Sequence, residues 1–94
     1  MFNIPDIVTE EQIDLFHMNI CENIKRVRQE KKMSQLEVSL SIGQKSSGFY
    51  SHMENYRHKK HFNLTHLFKL SKLFDVPIYE FLKEKTNNLN YQKI

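Results

Sequence analysis

Residues 44–72 hold Lys45, Arg57, Lys59, Lys60, Lys69 and Lys72 against a single acid, Glu54, whereas residues 1–14 hold Asp6, Glu10, Glu11 and Asp14 with no base. A cationic stretch of this kind suits phosphate oxygens; its bland alternative is a solvated loop. Five histidines, at positions 17, 52, 58, 61 and 66, raise the question of a metal. His58 and His61 are three apart, but no cysteine or paired carboxylate completes a zinc set, so neither metal nor cofactor is expected. His52, His58 and His61 read better as phosphate donors that gain charge below about pH 6.5, so that binding strengthens on acidification. Cys21 is next to the apolar position Ile20 and reads as packed rather than reactive. There is no glycine-rich phosphate cradle, and the acids are dispersed. An enzyme is not expected.

Length and composition bound the rest. Ninety-four residues suffice for one compact domain, and 27% charged with 39% hydrophobic residues is a globular balance. The net charge is +3, and the one cysteine excludes an internal disulfide. No basic leader opens the chain, and no apolar run approaches the roughly 18 residues of a membrane span. These features point to a soluble cytoplasmic protein without membrane contact.

The elements that must position the basic stretch read as helices throughout, because apolar residues recur at three- and four-residue steps and no strand-like alternation appears. Thr9 and Gln12 have capping-box spacing, and Ile13, Phe16, Ile20, Ile24 and Val27 form one apolar stripe running to about Lys31. Asn19 leaves open whether this is one helix or two. Ser34 with Glu37 forms a second capping box, Val38 and Ile42 point inward, and Gly43 suits the left-handed residue that ends a helix. Ser46 and Ser47 can cap the next helix, with Tyr50 and Met53 inward. A polar loop follows to Phe62. Asn63 then caps a helix with Leu64, Leu67, Leu70, Leu73 and Phe74 on or near one face. Asp75 and Val76 end it, and Pro77 opens a last helix carrying Ile78, Phe81 and Leu82. The expected fold is all-α: a compact bundle of about five helices containing a helix-turn-helix. Its parts are an extension over 1–19, helical from about 10, the helix-turn-helix domain over 20–83, and a polar tail over 84–94 with Leu89, Tyr91 and Ile94 as its late anchors.

From about Ile20 to Leu82 the chain resembles the Cro/phage-repressor (XRE-type, lambda-repressor-like) DNA-binding domains. The resemblance is carried by Ile24-Lys25-Arg26-Val27-Arg28, by Ser34-Gln35 through Gly43, by Ser51-His52-Met53-Glu54-Asn55, and by Leu67 through Val76. It implies that Gln35 hydrogen-bonds a DNA phosphate. It places Ser47, Gly48, Phe49, Ser51 and His52 outward at the start of the third helix, where base edges are read. Lys45 and Ser46 precede that helix in the turn, and Asn55 with Arg57, Lys59 and Lys60 would grip the backbone beyond it. Arg28 and Glu54 match a pair that forms an internal salt bridge in such domains.

Three departures from the pattern stand out. The chain between Gly43 and Glu54 is one residue longer, the loop over 56–62 is longer, and Tyr56 replaces a common glycine. The outward surface also lacks arginine for guanine and long amides for adenine. Phe49 is equally compatible with touching a thymine methyl or folding inward, and some specificity would come from DNA shape. Leu36 and Leu40 read as covering the first or fourth helix, with an exposed patch for a partner as the alternative.

The expected function is a bacterial or phage transcription regulator, a repressor or autoregulator binding double-stranded DNA at a short palindromic operator as a homodimer. A restriction–modification controller protein falls within the same class. The rival is an antitoxin that binds a toxin through residues 1–18 or 84–94 and regulates its own gene. A helix-turn-helix scaffold serving only protein contacts is a third reading.

Overall fold

The computed structural model describes residues 7–84. Five α-helices succeed one another: α1 (Glu10–Glu30), α2 (Gln35–Ser41), α3 (Ser47–Glu54), α4 (Leu64–Phe74) and α5 (Tyr79–Leu82), with a single 3-10 turn over Arg57–Lys59 between α3 and α4. No strand occurs among the described residues. The anchors expected in the C-terminal tail (Leu89, Tyr91 and Ile94) lie outside the described residues.

Helix α1 opens on the Thr9–Gln12 capping box: the Thr9 Oγ1 accepts the Gln12 amide at 3.0 Å, and the Gln12 Oε1 accepts the Thr9 amide at 2.8 Å. It then runs unbroken through Asn19 for 21 residues, so residues 1–19 and 20–83 meet inside one helix. Nothing in it is glycine or proline. Asn19 marks a tie, not a break. Its Nδ2 donates to the Lys83 carbonyl at 3.1 Å, and the buried Asn23 Nδ2 donates to the carbonyls of Phe81 and Lys83 at 2.9 and 2.8 Å. Both amides thus satisfy carbonyls that the end of α5 leaves without helical partners.

The core is built from Ile20, Ile24 and Val27 of α1, Val38 and Ile42, Tyr50 and Met53 of α3, Phe62, Leu67, Leu70 and Phe74 of α4, and Phe81. The apolar stripe of α1 outruns this core. Ile13 is 38% exposed and Phe16 57%, because they lie on a face of the first turns that no described element covers. Leu36 and Leu40 likewise stay outside the core, 51% and 62% exposed, since Val38 and Ile42 already occupy the inward side of the short α2. Leu64 also points outward, being in the first turn of α4 before the buried Leu67–Leu70–Phe74 face begins. The α4 N-terminus is closed by an Asn63–His66 capping box, and Asp75 ends the helix in a left-handed conformation (φ 57°). Phe74 and Phe81 then meet edge to face with centroids 6.3 Å apart.

Candidate nucleic-acid interface

Two short helices and the turn between them frame the site. Ser34 caps α2 through a capping box with Glu37, and Gly43 follows at φ 83°, where a side chain would be strained. The turn that follows is held from two sides. Ser39 Oγ donates to the Ser46 carbonyl at 2.9 Å, while α4 supplies Lys69 Nζ to the Ile42 carbonyl at 3.2 Å and His66 Nε2 against Gln44 Nε2 at 3.0 Å. Ser46 caps α3 by accepting the Phe49 amide at 3.2 Å. Its hydroxyl is therefore committed to the helix start.

Behind α3, Arg28 and Glu54 come together. The Arg28 Nε and Nη2 donate to the two Glu54 oxygens at 2.8 and 3.0 Å, a bidentate pair with the carboxylate fully buried. Gln35 Nε2 adds a third donor to Glu54 Oε1 at 3.0 Å, and Arg28 Nη1 reaches the Met33 carbonyl at 2.8 Å. Burial alone would raise the Glu54 carboxyl, but the bonds from Arg28 and Gln35 hold it below its ordinary value. One network thus ties the end of α1, the start of α2 and the end of α3. Gln35 is half-buried and already bonded within it.

The outer side of α3 carries Gly48 and Phe49 exposed, with Ser47, Ser51 and His52 half-buried. Phe49 is 46% exposed, so the ring faces outward, and Lys60 Nζ is 5.8 Å from its centroid. His52 meets His58 edge to face at 6.1 Å. Asn55 turns back on α3, donating to the Ser51 carbonyl at 2.9 Å. Lys45 and Arg57 are exposed and make no ion pair among the described residues.

The loop after α3 runs through left-handed backbone. Tyr56 stands at φ 54°, the left-handed region, and His58 and Lys59 follow at 54° and 60°. α1 holds this backbone in place. The Tyr56 hydroxyl donates to Asp14 Oδ1 at 2.6 Å, and Lys59 Nζ pairs with Glu10 at 3.3 Å and Asp14 at 3.6 Å. His61 stacks on His17 at 3.8 Å. Lys59 and His61, read from sequence as phosphate contacts, are thus turned toward α1. Reasoning from sequence missed Glu10, Asp14 and His17 as supports of this loop. Their signal was the i, i+4, i+7 spacing that puts three polar groups on one helix face beside the apolar stripe.

A helix-turn-helix family model matches residues 24–81, more than half of the chain. The chain belongs to the Cro/C1-type (XRE) helix-turn-helix family. Neither a curated protein nor a solved structure matches it significantly. As an XRE-type protein it carries the fold of DNA-binding transcription regulators, with α2 and α3 as the helix pair. The match spans Arg28, Glu54 and the whole basic loop, and begins after Glu10, Asp14 and His17.

Cys21, outside the interface, is buried and donates its thiol to the Met53 carbonyl at 3.0 Å. Burial, with Glu54 nearby, pushes the thiol up to about 12. No group of three or more His, Cys, Asp or Glu among the described residues is arranged to hold a metal ion, and no described helix is long and apolar enough to cross a membrane.

Proposed function

We propose that this XRE-type chain is a repressor or autoregulator that binds a short palindromic operator as a homodimer in the cytoplasm. The observation that carries the reading is the outward surface of α3. The bidentate Arg28–Glu54 pair withdraws the one acid of the region from solvent, leaving small polar side chains, Phe49 and His52 facing out. A helix presenting a serine, a glycine and an exposed ring enters the groove closely, contacts thymine methyls through Phe49, and reads the rest through His52 and DNA shape. Ser47 and Ser51 flank these two. Lys45, Asn55, Arg57 and Lys60 supply backbone contacts, and Gln35 reaches phosphate from the start of α2 with the amide N–H that Glu54 leaves free.

One such module makes too few contacts to specify an operator alone, which favours a two-fold dimer with half-sites about one DNA turn apart. Ile13, Leu15, Phe16 and Leu82 form an apolar face at one end of α1, and this supports a protein contact there. In the homodimer that contact is a second copy. The antitoxin reading would give the same face to a toxin.

Selection of bound duplexes from random DNA at physiological salt tests the proposal. Recovery of a palindromic motif is expected, together with a dimer by sedimentation. Only weak, sequence-independent binding by a monomer would overturn it. Changing His52 to Ala should alter the recovered motif while leaving the salt dependence of binding as it was.

A further inference from the structure

We propose that the N-terminal half of α1 is a positioning element for the DNA-contacting loop: Asp14 holds Tyr56, Glu10 and Asp14 hold Lys59, and Lys60 and Arg57 are left as the loop's phosphate contacts. This rests on the DNA-binding reading and divides labour between two adjacent lysines that look equivalent in sequence.

The geometry separates them. Lys60 Nζ is over the outward ring of Phe49, on the α3 side of the loop. Lys59 Nζ points the other way, 3.3 Å from Glu10 and 3.6 Å from Asp14. A phosphate approaching Lys59 would have to displace two carboxylates and then lie beside them, where like charges repel. Lys59 is thus already neutralised by its own chain. Tyr56 adds a reason for the clamp to exist. A bulky residue at φ 54° is held in a conformation it adopts only under constraint, and two more left-handed residues follow at 58 and 59. The hydroxyl bond to Asp14 and the His17–His61 stack supply constraint at both ends of this segment. Consistent with that, the Tyr56 hydroxyl, with Lys59, holds the Asp14 carboxyl below its ordinary range. Lys59 is raised in turn, chiefly by its bond to Glu10. Asp14, Tyr56 and Lys59 are therefore positioning residues.

The test measures affinity of the full chain for a mixed-sequence duplex across a series of KCl concentrations. Lys60→Ala and Arg57→Ala should each lower the slope of log K against log salt by about 0.9, the loss of one phosphate contact. Lys59→Ala should leave the slope as in the wild type. Tyr56→Phe, which removes only the hydroxyl, should weaken binding about 2- to 10-fold at fixed salt with the slope unchanged, the range that losing one hydrogen bond carries. A slope in Lys59→Ala reduced as far as in Lys60→Ala, or full affinity in Tyr56→Phe, overturns the proposal. A second measurement needs no DNA. In urea unfolding of the free protein, Asp14→Ala and Tyr56→Phe should be non-additive, and strict additivity would remove the clamp. Absence of any duplex binding by the wild type would instead count against the DNA-binding reading, with the urea cycle still deciding the clamp.

Discussion

Glu54 is the side chain on which the interface turns. It is the only acid in a basic region, and its two oxygens face Arg28 and Gln35 instead of solvent. Removing one partner of a buried pair strands the other, so Glu54→Ala should cost about 3–5 kcal/mol of stability, measured by urea unfolding. Glu54→Gln keeps the shape but loses a charge-assisted bond, and should cost less. The pairing was legible from sequence through the resemblance alone. That Gln35 joins it was not, because 19 residues separate the two partners and only the crossing of α2 over the end of α3 brings them together. Phe49 was equally undecidable, since an aromatic ring on a short helix fits the core or the groove. The decision came from Tyr50 and Met53, which fill the inward side of α3 and leave Phe49 outside.

At the scale of elements, the starts and stops of the helices were the most legible feature. Thr9, Ser34 and Asn63 each cap a helix in a box, and Gly43 has the positive φ that its position demands. Such signals are local, since a cap is satisfied within three residues. Gly43→Ala should therefore destabilise the fold by about 1 kcal/mol or more, because alanine resists φ 83° although the space around it is open. Thermal unfolding checks this, and an unchanged midpoint would show the turn adapting. Asn63→Ala should cost about 1 kcal/mol through the lost cap. What local signals could not give was the extent of burial along a helix. The stripe of α1 has helical period from Ile13 to Val27, yet only its second half, from Ile20 on, is buried in the core, where α1 packs on α3 and α5. Leu36, Leu40 and Leu64 fail as core residues for the same reason: periodicity reports a face, not what lies opposite.

For the whole molecule, two histidines link folding to pH. Burial lowers His17, with His61 adding to it against the opposing pull of Asp14, and burial lowers His66, with Lys69 adding to it. In both the unfolded chain binds the proton more tightly than the folded one, so stability rises with pH through this range. The contribution is fully present above about pH 6.5 and is lost as pH falls through the lower folded values. The thermal midpoint should therefore fall from pH 7.5 to 5.5, and less steeply in His17→Gln. A midpoint independent of pH across that interval would show that these imidazoles are equally accessible to protons in both states. The expected gain in DNA affinity on acidification then competes with this loss. Binding should be measured where the free protein remains folded.

The all-helical class, the caps and the Gly43 turn could be read from the residues alone, because each is written in contacts a few residues apart. Which stretch of α1 is core, that Phe49 faces outward, and that two neighbouring lysines face opposite ways emerged with the packing of the helices. The last of these depends on the pairs Glu10–Lys59 and Asp14–Tyr56, more than 40 residues apart in the chain. Such groups meet only once the helices have packed.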